Sequence, residues 1–201
     1  MSTTTPALPT SMRGVVMHAP GEVTVEDREV PRIVEPTDAI LKIEVACICG
    51  SDLWPYRGIS PLTEARPMGH EYIGTVVEVG EEVTSVKPGD FVVGSFCVSD
   101  NTCEICEDGF QSRCIHGGFM GDTQAQYTRV PLADGTLVVV PGGKPKDPDV
   151  VADLLAASDV LGTGWFGAVA AAAGPGKTIA VVGDGAVGLS AVLAAKALGS
   201  E

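Results

Sequence analysis

Cys49, His70, Glu71 and Asp159 are side chains of the types that hold a catalytic metal. A catalytic zinc takes three protein ligands drawn from thiolate, imidazole and carboxylate, and keeps its fourth position open. There it polarises a carbonyl as a Lewis acid and lowers the pKa of a water or alcohol. Cys49 offers thiolate, His70 imidazole, and either Glu71 or Asp159 a carboxylate. Asp52 lies near Cys49 in sequence and suits the role of acceptor for the other N–H of a metal-bound histidine. Each residue alone has a plainer reading: a buried cysteine usually behaves as a small hydrophobe, and Glu71 could be a solvated turn carboxylate.

A second cluster, Cys103-x2-Cys106-x7-Cys114, lies within SDNTCEICEDGFQSRC. Two intervening residues let one tight loop bring a pair of thiolates onto a tetrahedral ion. The plain alternative is three free thiols, which would be prone to oxidation when clustered without a metal. His116 fits no ligand spacing and reads, like His18, as a surface histidine.

The third pattern is Gly183-x-Gly185-x-x-Gly188, after the apolar run Thr178–Val182. Glycines in this strand-to-helix context permit a tight turn, close approach of a pyrophosphate and close helix-to-strand packing, with phosphate drawn to the helix N-terminus. Gly183, Gly185, Ala186, Val187 and Gly188 are thus the candidate binders of NAD or NADP. Alone the glycine pattern is a weak signal.

The elements that must position these residues change character along the chain. To about Val140 the text reads as short strands, among them Ala39–Val45, Tyr72–Val79 and Phe91–Val93. Turn signals at Pro20-Gly21, Gly80-Glu81-Glu82, Lys87-Pro88-Gly89-Asp90 and Ala133-Asp134-Gly135 punctuate them. Such spacing favours a small, partly open β-barrel. Beyond Pro141-Gly142-Gly143 the pattern predicts helices over Pro148–Ala157 and Trp165–Ala173, a strand over Thr178–Val182, and a helix to Leu198 that is apolar or small on nearly every face and so expects burial on more than one side.

The 201 residues carry 13 basic and 26 acidic side chains, a net charge of −13. That balance argues against nonspecific binding to nucleic acid or anionic membranes, which needs a basic face. No run of about 18 apolar residues is present, and MSTTTPALPTSM lacks the form of a secretory signal. It reads as a disordered extension over 1–12. Six cysteines without a signal point to metal binding or catalysis in a reducing, cytoplasmic setting.

Cys49-Gly50-Ser51-Asp52, Gly69-His70-Glu71, Lys87-Pro88-Gly89-Asp90 and the Gly183–Gly188 motif stand in an order that resembles the zinc-dependent medium-chain dehydrogenases, the alcohol dehydrogenase family. The resemblance runs from about Arg13 to the end. It implies a mixed α and β fold: a GroES-like β-barrel catalytic domain over 13–160, with a structural zinc lobe at 97–116, then the start of a Rossmann domain over 161–201. It implies Cys49, His70 and Asp159 as catalytic zinc ligands, Glu71 as a carboxylate able to approach the metal, Ser51 as the hydroxyl taking the alcohol proton, and Thr163 beside the nicotinamide. Where several relatives carry a proton-relaying histidine the chain has Trp54, expected to shape the substrate pocket. The family's lobe uses four cysteines spaced x2, x2, x7; counting back from Cys103 reaches Asp100, so Asp100, Cys103, Cys106 and Cys114 form the preferred structural set, with Cys97 as competitor.

The expected function is zinc-dependent hydride transfer between an alcohol or polyol and NAD(P), with a small alcohol, aldehyde or ketone as substrate and a homo-oligomeric parent enzyme. The strand that would choose between NAD and NADP lies about 20 positions past the glycines, so the chain reads as a fragment or truncated product whose Rossmann part is incomplete. The alternative is a zinc-binding GroES-like module without turnover.

Overall fold

Tyr72 and Val76 turn to one core, while Ile73, one step out of phase, turns to another, and neighbouring strands repeat the alternation with Val92 and Phe91. Successive side chains on a strand point to opposite faces, so one sheet serves two apolar layers. The computed structural model describes residues 8–201. Residues 1–7 of the expected extension lie outside the described residues, and the first strand begins at Ser11.

The chain divides into two compact units, Met1–Leu155 and Ala156–Glu201. In the first, β1 (Ser11–Ala19) pairs with β2 (Glu22–Glu29) and with the short β4 (Arg66–Pro67). A five-stranded antiparallel sheet is ordered β10 (Leu137–Val139), β6 (Phe91–Gly94), β5 (Tyr72–Val79), β3 (Ala39–Ala46), β9 (Tyr127–Val130). A two-stranded ribbon joins β7 (Cys97–Val98) to β8 (Gly118–Phe119). Short helices α1 (Leu53–Tyr56), α2 (Glu104–Glu107) and α3 (Ala133–Thr136) sit in the connections. The helix α4 (Pro148–Ala156) closes the second apolar layer, placing Val151 and Leu155 with Ile73, Phe91 and Val140. That packing holds α4 to the strands, and the division between units falls at Leu155.

In the second unit α5 (Val160–Ala170) and α6 (Ala186–Ala197) pack through Ala168, Ala194 and Ala195. The close approach also needs Gly164, where a Cβ would lie 2.6 Å from the Ala191 amide nitrogen. The helix expected to start at Trp165 starts at Val160. Gly162 and Gly164 weaken the local helix signal, and contact between the helices compensates. It ends at Ala170, with Ala172 at φ +53°.

The strand expected over Thr178–Val182 is corrected: the segment is not assigned as a strand. A strand is secured by ladder partners, and here the backbone bonds are Glu201 N–H to the Lys177 carbonyl at 2.9 Å and Ile179 N–H to the Glu201 carbonyl at 3.2 Å. These two bonds have the pattern of a parallel pair centred on Thr178. The α6 helix buries Ala194 and Ala195 but leaves Leu189 and Leu193 exposed. No single helix among them is long and apolar enough to cross a membrane.

Candidate functional site

His70 and Glu71 enter the first unit through a backbone clamp. Met68 N–H bonds the Val15 carbonyl at 3.1 Å, Gln124 N–H the Met68 carbonyl at 3.0 Å, and Thr123 N–H the Gly69 carbonyl at 3.3 Å. Gly69 sits at φ +94°, and a Cβ there would meet Gln124 Cγ at 2.6 Å and Gln124 N at 2.7 Å. Only glycine fits that turn without strain. The clamp feeds directly into β5, whose next residue, Tyr72, is fully buried, so the orientation of the His70-Glu71 pair is tied to the core.

Cys49 follows the end of β3 and precedes a 3₁₀ turn, Gly50–Asp52. Asp52 Oδ2 accepts the Cys49 backbone N–H at 2.9 Å, pinning the cysteine from behind. Asp52 Oδ1 lies 3.5 Å from His70 Nδ1, and Ser51 Oγ lies 3.4 Å from His70 Nε2. The imidazole therefore has a carboxylate beside one nitrogen and faces a hydroxyl with the other, the arrangement of a metal-ligating histidine whose orientation is set by an outer carboxylate. One ligand atom each from Cys49, His70 and Glu71 falls within 4.8 Å of the others. Thiol, imidazole and carboxylate in that proximity are a donor set that fits zinc. A cleft of about 200 Å³, lined by Asp52, His70, Gly69, Met68, Met17 and Met120 among others, opens beside the histidine. Trp54, expected to shape the substrate pocket, is 59% exposed on α1.

Two neighbours of this site, Cys47 and Gln124, belong to none of the sequence motifs. The Cys47 thiol donates to Glu71 Oε2 at 3.1 Å, and burial, followed by that bond, pushes the thiol up to about 12. Gln124 Nε2 bonds the Cys47 carbonyl at 3.1 Å and lies 3.5 Å from Asp52 Oδ2. The only hint was the i, i+2 spacing of Cys47 and Cys49, which puts both on one side of an extended segment.

In the second unit Asp159 precedes α5 and is 9% exposed. Thr163 Oγ1 donates to Asp159 Oδ1 at 2.8 Å, one helical turn on. A buried carboxylate needs such donors, and the pair explains why these two candidate residues stand four apart.

The second cluster assembles as counted. Asp100, Cys103, Cys106 and Cys114 each offer a ligand atom within 4.8 Å of the other three. The Cys103 and Cys114 sulfurs are 3.9 Å apart, and Cys114 Sγ lies 3.4 Å from Asp100 Oδ1. Burial pushes the Cys106 thiol up to about 12, while the backbone N–H of Ile115 pulls Cys103 down. Three thiols and a carboxylate suit a closed structural zinc site. Cys97 is buried in β7 and is not one of the four. His116 is a surface histidine, as expected, and its Nδ1 lies 2.5 Å from Asp100 Oδ2.

At the glycine motif, Gly183 has φ +115° and a Cβ on Gly188 would lie 2.1 Å from the Gly183 carbonyl oxygen. Gly185 caps α6 and Ala186 and Val187 form its first residues. Their N–H groups are the ones a helix leaves without internal partners, so the loop fits a pyrophosphate.

The chain is similar to several known proteins. A family profile described as the alcohol dehydrogenase GroES-like domain matches residues 35–142. The chain is 40% identical over 199 residues to medium chain reductase/dehydrogenase ucsI of Acremonium sp, covering 93% of this chain and 66% of that protein. It is 39% identical over 193 residues to zinc-type alcohol dehydrogenase B of Aspergillus flavus, covering 90% and 44%. Among solved structures, alcohol dehydrogenase TADH from Thermus sp. ATN1 superposes with a TM-score of 0.83 at 35% identity, covering 94% of this chain and 56% of that one. The chain thus spans 44% to 66% of the length of these relatives.

Proposed function

The chain belongs to the alcohol dehydrogenase GroES-like domain family, and from that premise we propose that its chemistry is zinc-dependent hydride transfer between an alcohol or polyol and NAD or NADP. The observation that carries the proposal is the convergence of Cys49, His70 and Glu71 within 4.8 Å, with Ser51 and Asp52 on either side of the imidazole. Cys49 and His70 would hold zinc, and the sequence resemblance adds Asp159 as the third ligand, with Glu71 as an alternate carboxylate. When bound, zinc supplies a Lewis acid for the substrate oxygen and the nicotinamide supplies the hydride acceptor or donor.

The remaining steps belong to the chain's own groups. The exposed Ser51 hydroxyl, 3.4 Å from His70 Nε2, relays the proton released by the alcohol, accepting it on Oγ as its own O–H proton passes to solvent, and runs in reverse when a carbonyl is reduced. Asp52 holds both the Cys49 backbone and the His70 ring, which fixes the angle between two ligands. Thr163, by resemblance, would lie beside the nicotinamide. The Gly183, Gly185, Ala186, Val187 and Gly188 backbone would bind the pyrophosphate. Asp100, Cys103, Cys106 and Cys114 would hold a second, structural zinc.

The test combines metal analysis with turnover. Two zinc ions per chain are expected, falling to one in Cys49→Ser, together with alcohol-dependent reduction of NAD(P)⁺ that Ser51→Ala slows. Zinc-free protein with undiminished turnover would overturn the proposal, as would Cys49→Ser retaining both its metal and its activity.

A further inference from the structure

A carboxylate among three thiolates brings a difficulty that a fourth thiolate would not. It has two oxygens, and both can reach one ion; carboxylates bind metals in either mono- or bidentate fashion. A closed tetrahedral zinc site has room for one. The two oxygens of Asp100 have different surroundings. Oδ1 lies 3.4 Å from Cys114 Sγ and accepts the N–H groups of Thr102 at 2.9 Å and Cys103 at 3.2 Å. Oδ2 lies 2.5 Å from His116 Nδ1.

We infer that His116 is a positioning residue for the structural metal, holding Asp100 Oδ2 out of the coordination sphere so that Asp100 binds through Oδ1 alone. This rests on the reading that the lobe takes zinc. The His116 side chain is 62% exposed, so core packing does not fix its place, and the ring nitrogen on Asp100 is its salient contact. Its Nδ1–H is a donor that a carboxylate oxygen satisfies well. Outer groups of this kind orient a metal ligand without touching the metal. The inference makes His116 and Asp100 a functional pair: aspartate serves where the family pattern has cysteine because the histidine occupies its surplus oxygen.

The experiment uses the full chain with Cys49→Ala, so that the lobe is the site read. Zinc affinity is measured by competition with a chromogenic chelator, and coordination number from the intensity of the visible d–d bands of Co(II) in place of zinc. His116→Ala is expected to lower zinc affinity about 10–100-fold and to weaken the Co(II) bands as the second oxygen enters. His116→Asn, which keeps an N–H donor near the same position, restores both; His116→Phe, which keeps bulk but no donor, does not. A purely structural role would not move the Co(II) spectrum. Affinity within twofold and an unchanged spectrum in His116→Ala would sink the inference, as would His116→Phe behaving like the parent. A parent chain that takes up no zinc fails the lobe reading itself, and the inference with it.

Discussion

Replacing Asp52 by alanine removes the group that joins two candidate ligands from behind. Its Oδ2 receives the Cys49 N–H at 2.9 Å, while its Oδ1 stands 3.5 Å from His70 Nδ1 and Gln124 Nε2 lies 3.5 Å from Oδ2. The first is a hydrogen bond to a charge, a class that contributes about 1.5–3 kcal/mol; the two longer contacts add less. Their loss leaves the Cys49 amide without this acceptor and lets the imidazole turn. If that energy bears on the metal-holding conformation, zinc affinity falls about 10–100-fold, since 1.4 kcal/mol is tenfold. The size agrees with the usual effect of removing an outer-shell partner, about 10–100-fold. The assay is stepwise zinc release to a chelator, with Cys49→Ser identifying the step that belongs to this site. Asp52→Asn, which keeps an oxygen for the Cys49 N–H but loses the charge, should fall between wild type and alanine. Asp52→Ala holding zinc within twofold of wild type, while Cys49→Ser loses it, would refute the reasoning.

Three further expectations concern the backbone and the frame. Gly69→Ala places a Cβ 2.6 Å from Gln124 Cγ at φ +94°, so it should lower stability by about 1–3 kcal/mol and weaken zinc binding with it; a melting temperature equal to wild type would count against the clamp. Gly188→Ala would set a Cβ 2.1 Å from the Gly183 oxygen, and an overpacking cost of about 1–3 kcal/mol should appear as weaker NAD(H) binding by fluorescence titration, with unchanged affinity the contrary result. At Asp134 partial burial works against ionisation, but the N–H and O–H groups of Ser85 and Thr84 outweigh it and hold the carboxyl below its ordinary value of 3.8. Its contribution, about 1 kcal/mol after allowing for exposure, is therefore full above that value and lost as pH falls through the lower folded one. Urea midpoints of wild type and Asp134→Ala should differ at neutral pH and converge in acid; a constant gap would contradict the assignment.

Much of the barrel was legible because strand alternation is a local signal. The run expected over Tyr72–Val79 is a strand with those bounds, and Ala39–Val45 and Phe91–Val93 each extend by one residue. The second unit was harder to read. Five residues of α5 were missed because two glycines depress helix propensity there, and the need for Gly164 comes from α6, more than 20 residues away. Thr178–Val182 has the composition of a strand, yet a strand depends on partners that composition does not supply.

At the candidate site the sequence by itself determined the donor types and the motifs that carry them. Thiol, imidazole and carboxylate are chemical identities, and the tight spacings Cys103-x2-Cys106 and Gly183-x-Gly185-x-x-Gly188 bind their geometry within a few residues. Tertiary structure alone decided which groups stand behind them. Cys47 meets Glu71 across 24 residues, Gln124 reaches Asp52 across 72, and His116 takes one oxygen of Asp100 across 16. Such contacts follow no period, because they arise where separate turns and strand ends are brought together by burying the two apolar faces of one sheet. The hydrophobic pattern that drives that burial is written along the chain; the polar neighbours it brings together are settled only when the faces close.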